Sequence, residues 1–218
     1  MDLEGAASLE RRRWSAETDA AVRPDLLRLD GPRIAYEVAT GEGRVPGAGT
    51  LLVSEAATAD RDARTARFRW SERLDLVPRG ESETAVAITG DVELAFAGGV
   101  AGPAFTLTAD RMDATLDAGP MEAVTPSAAR EREVDELDRL EMRRVLGAGR
   151  VFARGRGRDV ECDAFDYDAG TGVLELTARP GRSVSVMSTT AAAPIRAERV
   201  RWNLRTDRVE IESARGEV

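Results

Sequence analysis

All 31 basic residues of this chain are arginine, and lysine, histidine and glutamine are absent from its 218 positions. Without histidine the commonest general base is missing, and without lysine neither a P-loop nor a Schiff base can be built. The single cysteine, Cys162, excludes an internal disulfide framework. One thiolate among carboxylates is also poor ligand chemistry for zinc. We therefore expect no metal, no cofactor and no enzymatic activity.

Long hydrophobic runs are missing too. Hydrophobic residues make up 42% of the chain, yet no apolar stretch approaches the roughly 18 residues that a membrane helix needs. The net charge of −8 and pI near 4.9 argue against a nucleic-acid partner, which requires a concentrated basic footprint. Residues 1–22 hold acidic residues, the run Arg11-Arg12-Arg13 and one large apolar anchor, Trp14. That composition suits neither a signal peptide nor an anchor, and reads as an N-terminal tail, either a frayed helix or disordered.

Two charged runs invite chemistry and do not hold it. Asp159, Glu161, Asp163, Asp166 and Asp168 suggest calcium, but an EF-hand loop started at Asp166 puts Thr171 at the required glycine and Thr177 at the bidentate glutamate. They read as acids on the outer side of a strand. Arg154-Gly155-Arg156-Gly157-Arg158 reads as a solvated hairpin turn. Nothing singles out a carboxylate pair of the kind that cleaves glycosides.

What the chain does have is a repeated spacing: apolar, x, small, x, x, apolar, x, aromatic. It occurs as Val160, Cys162, Phe165, Tyr167 and again as Ile195, Ala197, Val200, Trp202. Earlier copies are Leu29, Gly31, Ile34, Tyr36, then Ala63, Thr65, Phe68, Trp70, then Leu107, Ala109, Met112, Ala114, the last ending on a small residue. Cys162 thus occupies the position of a small buried residue. Apolar side chains two apart share one face of a strand, whereas the step of three in the middle flips the face unless an extra residue forms a bulge or corner. Five corners predict sheets that bend around a common interior.

The copies are unevenly spaced, which excludes a strict solenoid. A second correspondence points to duplication: Tyr36 with Thr40-Gly41 matches Tyr167 with Thr171-Gly172, and Arg67 to Trp70 matches Arg199 to Trp202 at nearly the same separation. Short alternating segments between Gly and Pro turns fill the remainder, the signature of an antiparallel sandwich or barrel. The division that follows is a β unit over 23–118, a polar linker or short helix over 119–136, and a second β unit over 137–218 continuous with the first.

The stretch Asp163 to Thr177, with Gly149 to Ala153 before it and Ile195 to Trp202 after it, resembles the OstA-like lipopolysaccharide-transport domain of LptA, LptC and the LptD N-terminus. The resemblance is strongest over 145–212 and weak over 26–118. It implies an all-β, antiparallel β-jelly roll of stacked, twisted strands, open or partly open along one side. It further implies a non-enzymatic carrier that shields acyl chains of lipopolysaccharide or a related lipid in the periplasm or cell envelope. Edge strands would pair with other Lpt components or with itself.

On that expectation the lipid groove is lined by Ile34, Tyr36, Phe68, Trp70, Met112, Phe165, Tyr167, Val200 and Trp202. The arginines that precede the second apolar position, Arg33, Arg67, Arg111 and Arg199, become candidate headgroup contacts. The alternative is a structural β scaffold module of a larger cell-surface polypeptide, with a dry core and no ligand.

Overall fold

The computed structural model describes residues 2–13, 25–37, 39–55, 63–80, 83–98, 105–117, 141–191 and 193–212. These contain fifteen strands and no helix. The long ones are β1 (Asp2–Arg13), β2 (Asp25–Glu37), β7 (Glu83–Gly98), β8 (Phe105–Asp117), β9 (Glu141–Gly155) and β10 (Arg158–Asp168). The short ones are β3 (Glu42–Pro46), β4 (Gly49–Glu55), β5 (Arg64–Trp70), β6 (Arg73–Arg79), β11 (Val173–Thr177), β12 (Val184–Ser188), β13 (Ile195–Ala197), β14 (Arg199–Asn203) and β15 (Arg208–Glu212).

All pairings are antiparallel, and their pattern is simpler than the strand count suggests. The first half of β2 pairs with β4 and its second half with β3, while β7 pairs with β6 through one half and β5 through the other. Each pair β3 and β4, or β5 and β6, is therefore one long strand broken at a corner, at Gly47-Ala48 and Ser71-Glu72. In the same way β11 continues into β12 and β13 into β14. The result is a meander of bent strands, each neighbouring its predecessor, with one arm in each of two layers.

The corners align because a strand that bends must bend beside its neighbours or lose their hydrogen bonds. The ladder shifts register at Glu4/Ala7 in β1, Thr89/Val92 in β7, Thr108/Arg111 in β8 and Cys162/Ala164 in β10, as bulges do. Across the broken strands, Gly47 N–H donates to Glu72 O at 2.6 Å and Ser71 N–H to Gly90 O at 2.8 Å. Gly90 and Asp91 reach this geometry with φ of 85° and 41°, where glycine is at no disadvantage and aspartate is tolerated.

Four of the five expected corners coincide with bends, in β2, β8, β10 and between β13 and β14. The second does not. Residues Arg64 to Trp70 run straight along β4 with Ala66, Phe68 and Trp70 all inward, and the bend follows at Ser71. The duplication needs the same adjustment. Tyr36 faces Gly43, which faces Leu76, just as Tyr167 faces Leu174, which faces Trp202. Trp202 therefore corresponds to Leu76 in β6, not to Trp70 in β5. The matching turns do agree: Gly41 N–H donates to Glu37 O and Gly172 N–H to Asp168 O, both at 2.8 Å.

Two further expectations change. Residues 2–13, read as part of a frayed helix or disordered tail, form β1 and pair along β2, whose edge supplies the backbone partners that the segment's composition does not announce. The roll is barrel-like and closed, not open along one side, because the layers meet opposite the corner through the contacts described below. The polar segment 119–136 lies outside the described residues, and the ladder runs directly from β8 into β9.

Between the layers lies one apolar core that runs the length of the stack. It is filled partly by rings lying on glycines across the strand pair. Phe165 covers Gly147, Phe105 covers Gly155, Trp70 covers Gly49 and Tyr36 covers Gly43. Each glycine removes the Cβ that would hold the ring off the sheet. Replacing Gly147 by valine inserts atoms into the Phe165 ring position, and overpacking of this kind costs about 3 kcal/mol. Urea unfolding of Gly147→Val measures it, and an unchanged midpoint contradicts the packing described.

Candidate functional site

The interior and its openings are where the apolar residues converge. Ile34, Phe68, Met112, Val200 and Trp202 are at most 1% exposed, and Tyr36, Trp70, Phe165 and Tyr167 are buried as well. Alternation brings them there: each sits two residues from another inward position on its strand. Eight of the nine belong to the single core cluster, and Tyr36 is buried beside Gly43 and Leu76.

Opposite the corner the two layers are joined. The Phe96 and Tyr167 rings meet edge to face at 5.9 Å between centroids, and Phe105 meets Trp202 at 5.2 Å with an interplanar angle of 83°. The indole is also held from its polar side. Trp202 Nε1–H donates to Asp207 Oδ1 at 3.0 Å, and the Arg158 guanidinium donates to the same oxygen at 2.6 Å while lying 5.5 Å from the indole centre. Arg158 begins β10 in one layer, whereas Asp207 belongs to the turn after β14 in the other, so this contact latches the layers together. Asp207 reaches the position through a left-handed φ of 59°.

The ends of the stack differ from its middle. Ile211 and Val209 in β15 face Val200 and Trp202, as Ile88 and Val86 in β7 face Leu74 and Leu76. Ile88 and Val86 are sealed by β8, but Val209 and Ile211 are only half-buried because β15 is an edge. In the other layer Ile195 pairs with Val186 on the interior face and is 45% exposed. Among the described residues, the inward apolar side chains are therefore least covered at the C-terminal end of the stack. The spacing motif contained Ile195; nothing in the sequence marked it as a rim residue, because the edge is a property of strand order.

The four candidate headgroup arginines point the other way. Arg33, Arg67, Arg111 and Arg199 are exposed on the outer faces, each being a neighbour in sequence of an inward residue. Arg111 forms an ion pair with Asp113 at 2.7 Å, and Arg199 lies 3.2 Å from Glu175. The acidic run, expected on the outer side of a strand, splits at the Cys162/Ala164 register shift: Asp159 and Asp166 pair outside with Arg154 and Arg144, while Asp163 is turned inward and buried at the corner. No group of three metal-ligating side chains occurs among the described residues.

No family model matches the chain, and no curated protein matches it.

Cys162 is half-buried in the β10 corner, its thiol within 3.3 Å of Ala164 O. Burial pushes its pKa up to about 12, so it is a thiol throughout the physiological range and not a nucleophile. Its reaction with a disulfide reagent at about pH 8 is accordingly slow in the folded protein and fast in urea, where the pKa returns to ~8.5.

Carboxylates are shifted in the opposite direction. Asp207 is lowered chiefly by the Arg158 hydrogen bond, Asp168 by the Thr171 N–H, Asp110 by the N–H and side chain of Arg150, and Asp159 by Arg154. A lowered folded pKa contributes stability above the unfolded value of about 3.9 that is lost as pH falls through the folded one. The raised Cys162 works in reverse, its contribution fading above ~8.5. With no histidine between them, stability is flat from about pH 5 to 8 and declines on both sides. A slope near pH 6.5 in urea midpoints contradicts this.

Asp207→Ala leaves the indole N–H and the Arg158 guanidinium without their shared acceptor, which costs about 1–3 kcal/mol. The same urea assay reads it.

Proposed function

We propose that this protein is a non-enzymatic lipid carrier of the OstA and LptA kind. It would shelter acyl chains of lipopolysaccharide or a related lipid in the interior of a β-jelly-roll-like stack, as part of a bridge in the cell envelope. The observation that carries the reading is the apolar interior opening at the C-terminal end, where Ile195, Val209 and Ile211 remain partly uncovered on its inner face.

The physics asks for little more than such an opening. Sheltering an acyl chain is worth about 0.8 kcal/mol per methylene, so an apolar trough supplies affinity without a catalytic group. Strands stacked at about 4.8 Å give an interior on the order of 50 Å long. Among the described residues β1, β13 and β15 are edges, which would offer backbone donors and acceptors to a further strand, either from another OstA-like component or from a second copy. The resemblance over 145–212 supports the same reading, as does the meander of bent strands. Periplasmic or envelope location follows from the reading itself.

A structural β module without ligand is the second reading, and the filled core favours it. Rings lie on glycines, and Phe68, Met112 and Trp202 have no exposed surface. Under the first reading, chains dock at the C-terminal mouth and go deeper only when the layers part.

Mass spectrometry of solvent extracts from the purified protein, together with titration of a fluorescent fatty-acid probe, separates the two. The carrier yields bound acyl chains and a saturable probe signal. Ile195→Glu and Ile211→Glu, which change half-exposed positions and leave circular dichroism intact, weaken probe binding about tenfold or more, the cost of burying a charge in an apolar mouth. Neither extractable acyl chains nor probe binding in the parent protein sinks the carrier and leaves the scaffold.

A further inference from the structure

The two halves of the stack turn the same corner differently. Between β3 and β4 two residues suffice, Gly47 and Ala48, whereas between β11 and β12 the chain takes six, Ala178 to Ser183. The longer loop is a built feature. Arg179-Pro180-Gly181-Arg182 closes a turn with Arg182 N–H donating to Arg179 O at 3.0 Å and Gly181 at φ 84°. Beneath it sits Asp163, the one charged side chain buried among the described residues, at 6% exposure. Its Oδ2 accepts the Arg179 N–H at 2.8 Å and its Oδ1 accepts Arg182 Nη1 at 2.6 Å.

A buried carboxylate is costly unless fully hydrogen-bonded, and here its two bonds fix the loop and aim one arginine. Arg182 uses a single donor on Asp163 and keeps 69% of its side chain exposed, so most of its five N–H groups face outward. The loop forms one wall of a surface cleft of about 950 Å³, whose other wall is Arg196 to Glu198. Arg179 and Arg196 line it and make no salt bridge among the described residues, although Arg179 lies near enough to Asp110 to help lower its pKa. Glu161 and Ser185 form the floor, and Glu198 stands on the far rim.

We infer that this corner cleft is a binding site for a small hydroxylated oxyanion, with a sugar phosphate as its simplest representative. Guanidinium groups donate in a fork that matches phosphate or carboxylate oxygens. The Glu161 carboxylate and the Ser185 hydroxyl beside them accept from hydroxyls, which a bare anion lacks. The site lies on the outer face of the corner, on the side of β13 opposite to that of Ile195, and does not depend on the lipid reading.

Isothermal titration with glucose 6-phosphate tests it, with glucose and inorganic phosphate as separate arms. The expected result is saturable, salt-weakened binding of the sugar phosphate, at least about tenfold tighter than either control. Arg179→Ala with Arg196→Ala weakens it about tenfold or more while leaving the Asp163–Arg182 anchor and the melting temperature unchanged. Glu161→Gln weakens the sugar phosphate and leaves inorganic phosphate unaffected. Absence of sugar-phosphate binding at millimolar concentration overturns the assignment, as does binding that survives the double arginine variant. Inorganic phosphate binding as tightly as the sugar phosphate also overturns it, since the glutamates then contribute nothing.

Discussion

The structure depends on every long strand changing layer at the same level. A bend interrupts a ladder, and the interruption is tolerated only when the neighbouring strand is interrupted beside it. Register shifts at Thr89/Val92 in β7, Thr108/Arg111 in β8 and Cys162/Ala164 in β10, the last two both facing β9, lie on one line, and the strand breaks at Gly47-Ala48, Ser71-Glu72 and Glu198 continue it. Once the corner is shared, the inward faces of both arms meet and a single core follows. The latch between the layers and the partly uncovered rim at the C-terminal end are consequences of where that line runs.

Closure then rests on a small number of contacts far from the corner. Two edge-to-face ring pairs and the Arg158–Asp207 ion pair hold the layers together, and the ion pair shares its acceptor with the Trp202 indole. Surface ion pairs are individually weak, and the many outer Arg–Asp pairs across strands belong to that class. Arg158 and Asp207 differ because both are only about one-third exposed and a buried indole N–H depends on the same oxygen. The core itself achieves density by seating rings on glycines, an economy of volume that leaves the stack filled in its middle and apolar at its unsealed end.

Charge is handled by separation. The outer faces carry acidic and arginine side chains paired both across strands and two apart on one strand, and the interior carries none among the described residues. Asp163 at the corner is the exception, and its position explains why the second half of the stack has a long corner loop where the first has a short one. The same carboxylate would be an uncompensated buried charge without the Arg179 N–H and the Arg182 guanidinium. The two halves thus share topology but not surface chemistry.

The amino-acid order by itself determined the all-β class, the inward set from Ile34 to Trp202, and the bends in β2, β8, β10 and after β13. Those features are local: alternation fixes which face a side chain takes, and two residues three apart can both point inward only across a corner. It was misleading where local pattern and neighbour disagree. Residues 2–13 have a composition too polar to commit alone, and only the free edge of β2 makes them a strand. Arg67 to Trp70 copies the corner spacing, yet its ladder with β4 on one side and β7 on the other keeps it straight and moves the bend to Ser71. Strand order alone decided which apolar residues are sealed and which form a rim, because Ile88 and Ile211 occupy matching places and, among the described residues, only Ile88 has a second strand paired beside it.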